Sequence, residues 1–362
     1  MRDLFVKVYR TLGSFGLACI ILLLMMVLTL FGTLDQRWMS LYDVQKKYFE
    51  SWIVVIGILP IPGAVPLMSL LSLNLLVGGL IRLRRTWSRA GIFVIHIGIS
   101  ILLLGSLVEY VGSNKGYVRL FEGDKKGAFQ SHYEWEVTFS ESFADGRERV
   151  HVIMDDKFDD LTGSDTAEFR PEGLPFTVQL SGYVRNAGLR PARPGTGVDG
   201  VVLTRRPLAE EAEHNVPGLR IVLIEDGGER HEALLWGARH VLPYVVVAGG
   251  KPYEIELHPR RWVLPFEVEL TKFRRELHPR TQLPSSFSSD VTRYEAGSAE
   301  EIHIRMNEPM RHRGYTFYQS GWGPQGGPPG ARMFSVLAVV ENPADRVPIL
   351  ACVVIAIGML WQ

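Results

Sequence analysis

Four stretches of this chain are too apolar to behave as ordinary soluble sequence: residues 15–34, 52–81, 91–108 and 347–361. A helix rises about 1.5 Å per residue, so about 20 apolar residues cross the ~30 Å hydrocarbon layer of a bilayer. Residues 112–346, between the third and fourth stretches, have the composition of a water-soluble domain. The economical reading is a membrane protein with four transmembrane α-helices (about 15–34, 52–81, 91–110 and 347–362). A three-helix region, 1–111, then leads into a large all-β domain of sandwich or barrel-like form, inserted between helices three and four. The last stretch is the shortest; it either crosses with little margin or the natural protein continues beyond Gln362.

Arg2, Lys7 and Arg10 precede the first apolar run, as in a secretory leader, but the run ends in Phe-Gly-Thr-Leu-Asp without a small-residue cleavage site. A retained helix is expected. Those three cations and Arg82, Arg84, Arg85 and Arg89 flank the same ends of the spans. The positive-inside rule puts them in the cytoplasm, in a plasma (inner) membrane protein whose β domain is extracytoplasmic. The mixed charges of 35–51 do not oppose this.

The soluble stretch reads as short alternating segments broken by Gly, Pro and Asp, among them YEWEVTFS, LRIVLIED, EIHIRM and GYTFYQS. Aromatic and β-branched residues at period two indicate strands. LPFTVQL (174–180) and LPFEVEL (264–270) echo each other, which suggests two related β halves or a chance likeness of two amphipathic strands. Residues 185–217 and 321–332, rich in Gly, Pro and Arg, read as long loops.

Several chemistries are excluded. The two cysteines, Cys19 and Cys352, both lie in apolar helices, so the chain has neither a Cys-x-x-Cys for dithiol exchange nor a Cys-x-x-Cys-His for covalent haem attachment to itself. Of the nine histidines in the β domain, His303 and His312 are the nearest to a conspicuous pair, yet none has a metal-ligand spacing. PSSFSSD (284–290) has hydroxyls without a base pattern. No phosphate-cradling loop occurs, and 39 basic against 39 acidic residues give no electrostatic footprint for nucleic acid.

The exception is His96, the one histidine inside an apolar run. An ionisable side chain at that depth faces protein, water or a ligand. Two readings stand: an interhelical hydrogen bond, or ligation of haem iron (haem b), for which imidazole is the commonest ligand. Helical rise puts Asn74 at the depth of His96, which makes Asn74 the expected partner orienting the imidazole. Within this chain a second axial ligand is limited in principle to Met25, Met26, Met68 and Met359, so a histidine from a partner subunit is the expected one. Arg82, Arg85 and Arg89 either fix topology or neutralise haem propionates. Gly78, Gly79, Gly98 and Gly105 allow close helix approach.

The chain also resembles a known family. Leu-Gly-Ser (12–14), Phe-Gly-Thr (31–33), SLNLLVGGLIRLRR (72–85), LPFEVELTKFRRELHPRTQLPSSFSSDV (264–291) and, most specifically, NEPMRHRGYTFYQSGW (307–322) resemble the ResB family of cytochrome c biogenesis, system II. The resemblance implies a subunit of a cytochrome c synthase and haem-delivery complex, with His96 as its transmembrane haem ligand. It also implies a ResC/CcsA-type membrane partner carrying a tryptophan-rich motif, which the scattered tryptophans of this chain do not form, and apocytochrome c as recipient. In that frame GYTFYQSGW is either a buried aromatic strand or a contact surface in which Tyr315, Tyr318, Gln319 and Trp322 meet apocytochrome or partner. The rival function is a structural or sensory membrane protein whose β domain binds an external ligand, without haem.

Overall fold

The computed structural model describes residues 2–84, 86–143, 146–193, 195–281, 284–324 and 332–362. It divides into two compact units: Met1–Asn114 with Arg311–Thr316 and Val340–Gln362, and Lys115–Met310 with Phe317–Val339.

The first unit is helical. Helix α1 (Arg2–Leu12) is followed by α2 (Phe15–Asp35), and the break between them falls at Gly13-Ser14. Ser14 caps α2 by accepting a hydrogen bond from the Leu17 N–H at 3.2 Å, the usual role of a serine before an apolar run. Gly13 sits against the helix of residues 64–81: a Cβ there would lie 2.9 Å from Val77 Cγ1 and 3.0 Å from the Gly78 nitrogen. A short helix, α3 (Leu41–Val44), and a π-helical turn follow.

The expected helix over 52–81 is only partly a helix. Residues Ile53–Ile56 and Leu59–Pro62 form a β-hairpin, and α4 begins at Ala64. Local chemistry explains the correction. Ile-Val-Val-Ile is β-branched throughout, Gly57 takes a φ of +63°, and Pro60 and Pro62 cannot continue a helix. Pro66 is tolerated because it lies in the first turn of α4, where its missing N–H has no partner to lose. Helix α4 (Ala64–Asn74) then widens into a π-helical turn over Leu75–Ile81, so the span is Ala64–Ile81. With α2 and Trp87–Gly112 it makes three helices long and apolar enough to cross a membrane among the described residues.

Helix α5 (Ala90–Gly112) carries glycine every seven residues, at 91, 98, 105 and 112, which places them on one face. Helix α6 (Val347–Trp361) lies antiparallel on that face. A Cβ on Gly91 would be 2.5 Å from the Gly358 carbonyl, one on Gly98 2.5 Å from Ile355 Cγ1, and one on Gly112 3.1 Å from Pro343. The segment 343–362 therefore parallels the full length of α5, although α6 itself is only 15 residues long. The Trp87 and Trp361 rings stack at 5.5 Å, and the Gln362 amide donates to the Ser88 carbonyl while accepting from the Ile92 N–H.

The second unit is all β. Its main sheet orders strands Ser298–Arg305, Pro284–Glu295, Lys251–Leu277, Lys125–Ser142, Asn114–Phe121, Phe334–Glu341, Tyr315–Gly323 and Met310–His312, with Tyr244–Ala248 and Glu148–Met154 on side branches. A second, four-stranded sheet orders Arg230–Trp236, Gly218–Glu225, Phe176–Val184 and Thr166–Phe169. It packs face to face on one end of the long strands, burying Phe176, Val178, Ile221 and Leu223 with Phe139, Ile255 and Tyr253. At the other end the large sheet rolls on itself. Ser289, second from one edge, thereby meets Gln319, second from the other, and Phe266 meets Phe317 with ring centroids 6.0 Å apart. The two echoed segments fall one in each half, and Phe176 and Phe266 both point into a core. Pro265, in the second of them, lies in the interior of a 27-residue strand, at a break in its register.

Candidate functional site

The site is built where α5 meets the π-helical turn after α4. The last carbonyls of a helix have no intrahelical N–H to accept. One of them, the Gly79 oxygen, lies 3.0 Å from His96 Nδ1. A carbonyl only accepts, so Nδ1 carries the proton and the ring is the Nδ1–H tautomer. Its Nε2 then keeps the lone pair, and no hydrogen bond to it occurs among the described residues. Glycine at 79 is a steric requirement, because a Cβ would lie 2.7 Å from His96 Nδ1.

Asn74 is not the partner that helical rise suggested. It is buried, and its amide donates to the Leu12 carbonyl at 2.6 Å and the Ser14 carbonyl at 3.0 Å. Both oxygens flank the α1–α2 break. Depth along two helices can be counted from sequence, but the direction in which each side chain leaves its helix cannot.

The arginines divide similarly. Arg82 donates to the Arg10 carbonyl at 3.0 Å and stands 5.8 Å over the Tyr9 ring, so it caps α1. One guanidinium nitrogen of this exposed residue is thereby used. Arg85 lies outside the described residues. Arg89 is exposed one residue before α5, seven residues and so about 10 Å from His96 along the helix.

Between α4 with its π-helical turn and α5 lies an open groove of about 660 Å³, within the range of small-molecule sites. Leu76, Leu80, Ile97, Ile101 and Leu104 line it, and the hydroxyls of Ser72 and Ser100 are bonded back to Met68 and His96 carbonyls. The surface offered is apolar. His96 is not among the residues lining it; its neighbours in sequence on that side are Ile97 of α5 and, beside Gly79, Leu80. Of the four methionines, only Met68 lines the groove.

The aromatic strand Tyr315–Gly323 does not present its four expected contact residues on one surface. Tyr315 is half-buried and hydrogen-bonded to Glu341, which with burial pushes its hydroxyl pKa up. Gln319 is built into a polar network: Ser289 Oγ lies 2.6 Å from Gln319 Oε1, and Gln319 Nε2 donates to Ser335 Oγ at 2.9 Å and the Gly321 carbonyl at 3.0 Å. Trp322 stacks on Phe273 beneath the Arg275 guanidinium. Only Tyr318 is well exposed.

Among the β-domain histidines, His303 and His258 are held by their neighbours, whereas His151 Nε2 is buried without a hydrogen-bond partner. His303 pairs with Asp290 at 2.7 Å, and Asp290 also binds Arg274. His258 is buried: Nδ1 donates to the Pro259 carbonyl at 2.9 Å, and Nε2 accepts from Thr138 Oγ1 at 3.0 Å. Burial lowers its pKa to about 4, and Glu136 at 3.6 Å does not reverse this. Glu136 serves the backbone instead. The Pro259/Arg261 register shift removes a ladder partner from the Arg261 N–H, and the Glu136 carboxylate accepts it at 3.2 Å. Sequence spacing missed one compact group, Glu225, Glu229 and His231, brought together by a hairpin turn. There His231 Nε2 is 2.8 Å from Glu225, an ion pair closing the turn.

No curated protein matches the chain. Residues 244–336 match the model for the ResB-like family, which is associated with cytochrome c biogenesis. The match covers about a quarter of the chain, including Phe266, the Ser289–Gln319–Ser335 network and Trp322. That segment of the β domain is similar to the ResB-like family.

Proposed function

We propose that the chain is the membrane subunit of a cytochrome c synthase and haem-delivery complex, in which His96 holds haem iron as cargo. The observation that carries the reading is the Gly79 hydrogen bond. A backbone carbonyl on the far ring nitrogen fixes the tautomer and orientation of a metal-ligating histidine. Here that leaves Nε2 as the ligating atom, on a residue adjacent in sequence to Ile97, which lines the apolar groove between α4 and α5. The donor set supplies one axial ligand; the second comes from the partner, a ResC/CcsA-type protein. Arg89 is a described cation available to a propionate. Thioether formation on apocytochrome c belongs to the partner, and Tyr318 is the residue of the aromatic strand open to either protein.

The same reading makes α6 the fourth span, because residues 343–362, which contain it, run beside α5. It also orients the protein in the plasma membrane with Arg84 and Arg89 inside and the β domain outside.

A second reading has one observation in its favour: the His96–Gly79 bond already satisfies an orphan carbonyl, so the imidazole has a structural task without haem. Co-purification separates the two. The first predicts b-type haem in protein purified from membranes with its partner, and a Soret band lost in His96→Ala while protein yield and α-helix content persist. An unchanged band in His96→Ala, or no haem in the intact complex, establishes the structural reading.

A further inference from the structure

The hairpin that replaces the start of the expected second span is apolar on both faces. Val54 is buried against Leu28, Val44, Tyr48 and Leu67, and Ile56 and Ile61 pack around the same cluster. The opposite face carries Ile53, Val55, Pro60 and Pro62, all exposed, and the tip residue Ile58 is 99% exposed. No Asp, Glu, Lys, Arg or His occurs from Ser51 to Ile81. A soluble protein rarely displays such a contiguous patch without an occupant.

The edge chemistry identifies the occupant. Gly57, with φ +63°, opens a two-residue turn closing on the Ile56–Leu59 pair. Antiparallel alternation then turns the nitrogens of Leu59 and Ile61 toward the first strand and those of residues 60 and 62 outward. Both outward positions are proline, so this edge has no N–H to offer. Proline there blocks pairing with another strand and removes the donors most costly to dehydrate. An edge meant for a protein strand would keep them. The hairpin's cluster is also shared with α2 and the start of α4, so its free face is continuous with the apolar outer faces of two membrane spans. Trp52, at the hairpin's base, is 70% exposed, the position of an interfacial anchor.

We infer that the Ile53–Pro62 hairpin is a lipid-binding element, seating its Ile53, Val55, Pro60 and Pro62 face and its Ile58 tip at the acyl–headgroup boundary of the leaflet reached by the end of α2. At that depth water still serves the outward carbonyls, while the side chains enter hydrocarbon. The element sets the level at which α2 and α4 leave the bilayer. This inference rests on the membrane reading of the helices and is independent of haem.

The test uses the full chain in phospholipid vesicles. In a Cys19→Ala, Cys352→Ala background, nitroxides at Ile58→Cys and Val55→Cys are expected to show a severalfold higher ratio of oxygen to nickel-chelate accessibility than one at Glu50→Cys. A label at Met26→Cys on the exposed face of α2 provides the lipid reference. Should that background fold poorly, p-benzoylphenylalanine in place of Ile58, irradiated in native membranes, gives phospholipid adducts. Nickel-chelate accessibility equal to that at residue 50, a polypeptide adduct, or no adduct would overturn the inference.

Discussion

Two histidines, one in each unit, are held the same way and left in different states. His96 and His258 each donate Nδ1–H to a backbone carbonyl, of Gly79 and Pro259 respectively. In the β domain the other nitrogen is also satisfied, by Thr138, and the ring is nine-tenths buried. In the membrane region the other nitrogen has no partner among the described residues. The contrast extends further. In the helical unit, side-chain N–H groups of Asn74, Arg82 and His96 satisfy carbonyls left over at helix ends. In the β unit, oxygens of Glu136, Ser131 and Asp155 accept N–H groups near a register break. Most buried polar side chains here complete a backbone, and the informative one is the group with capacity remaining.

The largest expected effect comes from the glycine face of α5. Gly91→Val puts a side chain 2.5 Å from the Gly358 carbonyl, a backbone atom that cannot rotate away. The cost lies at or above the upper end of the ~1–3 kcal/mol of ordinary overpacking. A severalfold loss of folded protein in detergent, with proteolysis between the β domain and α6, is the expected result. A wild-type thermal midpoint would show that α5 and α6 do not pack this closely.

His258 offers a pH test. Its folded pKa of about 4 lies below the ordinary value of 6.5, so between these the unfolded chain binds more protons than the folded one. Stability is then complete above about pH 6.5 and falls as pH drops toward 4, by on the order of 3 kcal/mol. Glu136, whose pKa burial raises, slopes the other way, because its folded form retains a proton that the unfolded chain releases as pH rises. His258→Gln should flatten the acid limb of the thermal midpoint against pH. His96→Gln should leave that limb intact, since it lies in the other unit. Equal effects from both would break the contrast.

Asn74→Leu tests the corrected role of that residue. It leaves the Leu12 carbonyl without its side-chain donor and the Ser14 carbonyl with only the Ala18 N–H at 3.4 Å, at a cost of about 1–3 kcal/mol. The expected outcome is lower yield with unchanged haem per folded molecule. A shifted haem spectrum at normal stability would restore Asn74 to the histidine.

How much of this was legible in the sequence depends on what each inference needed. Run length and periodicity sufficed for α2, for α5 and for the strands, because burial imposes those patterns directly. The hairpin was masked because a β-branched apolar run reads equally as the start of a span. Gly79 was invisible as the partner of His96 because a backbone carbonyl has no letter of its own. For Gln319, Tyr315 and Trp322 a buried strand and a contact surface stayed open, because interfaces and cores favour the same amphipathic side chains. Only the curl of the sheet, which brings residues 289, 319 and 335 together, separates the two.

That curl gives the smallest and sharpest prediction. Gln319→Leu removes one acceptor of the Ser289 hydroxyl and the amide donor to Ser335, leaving the two fully inaccessible hydroxyls only each other, at 2.8 Å. Unsatisfied buried groups cost about 1–3 kcal/mol, whereas replacing all partners by apolar groups of similar shape is close to neutral. The triple variant Ser289→Ala, Gln319→Leu, Ser335→Ala should therefore recover most of the stability that Gln319→Leu loses, as a double-mutant cycle would register. The helical unit has no such remedy, because the partners of Asn74 and His96 are main-chain carbonyls that mutation cannot remove. If the triple variant is less stable than the single one, the network contributes more than mutual satisfaction of its members, and Gln319 regains its standing as a residue held in place for another protein to meet.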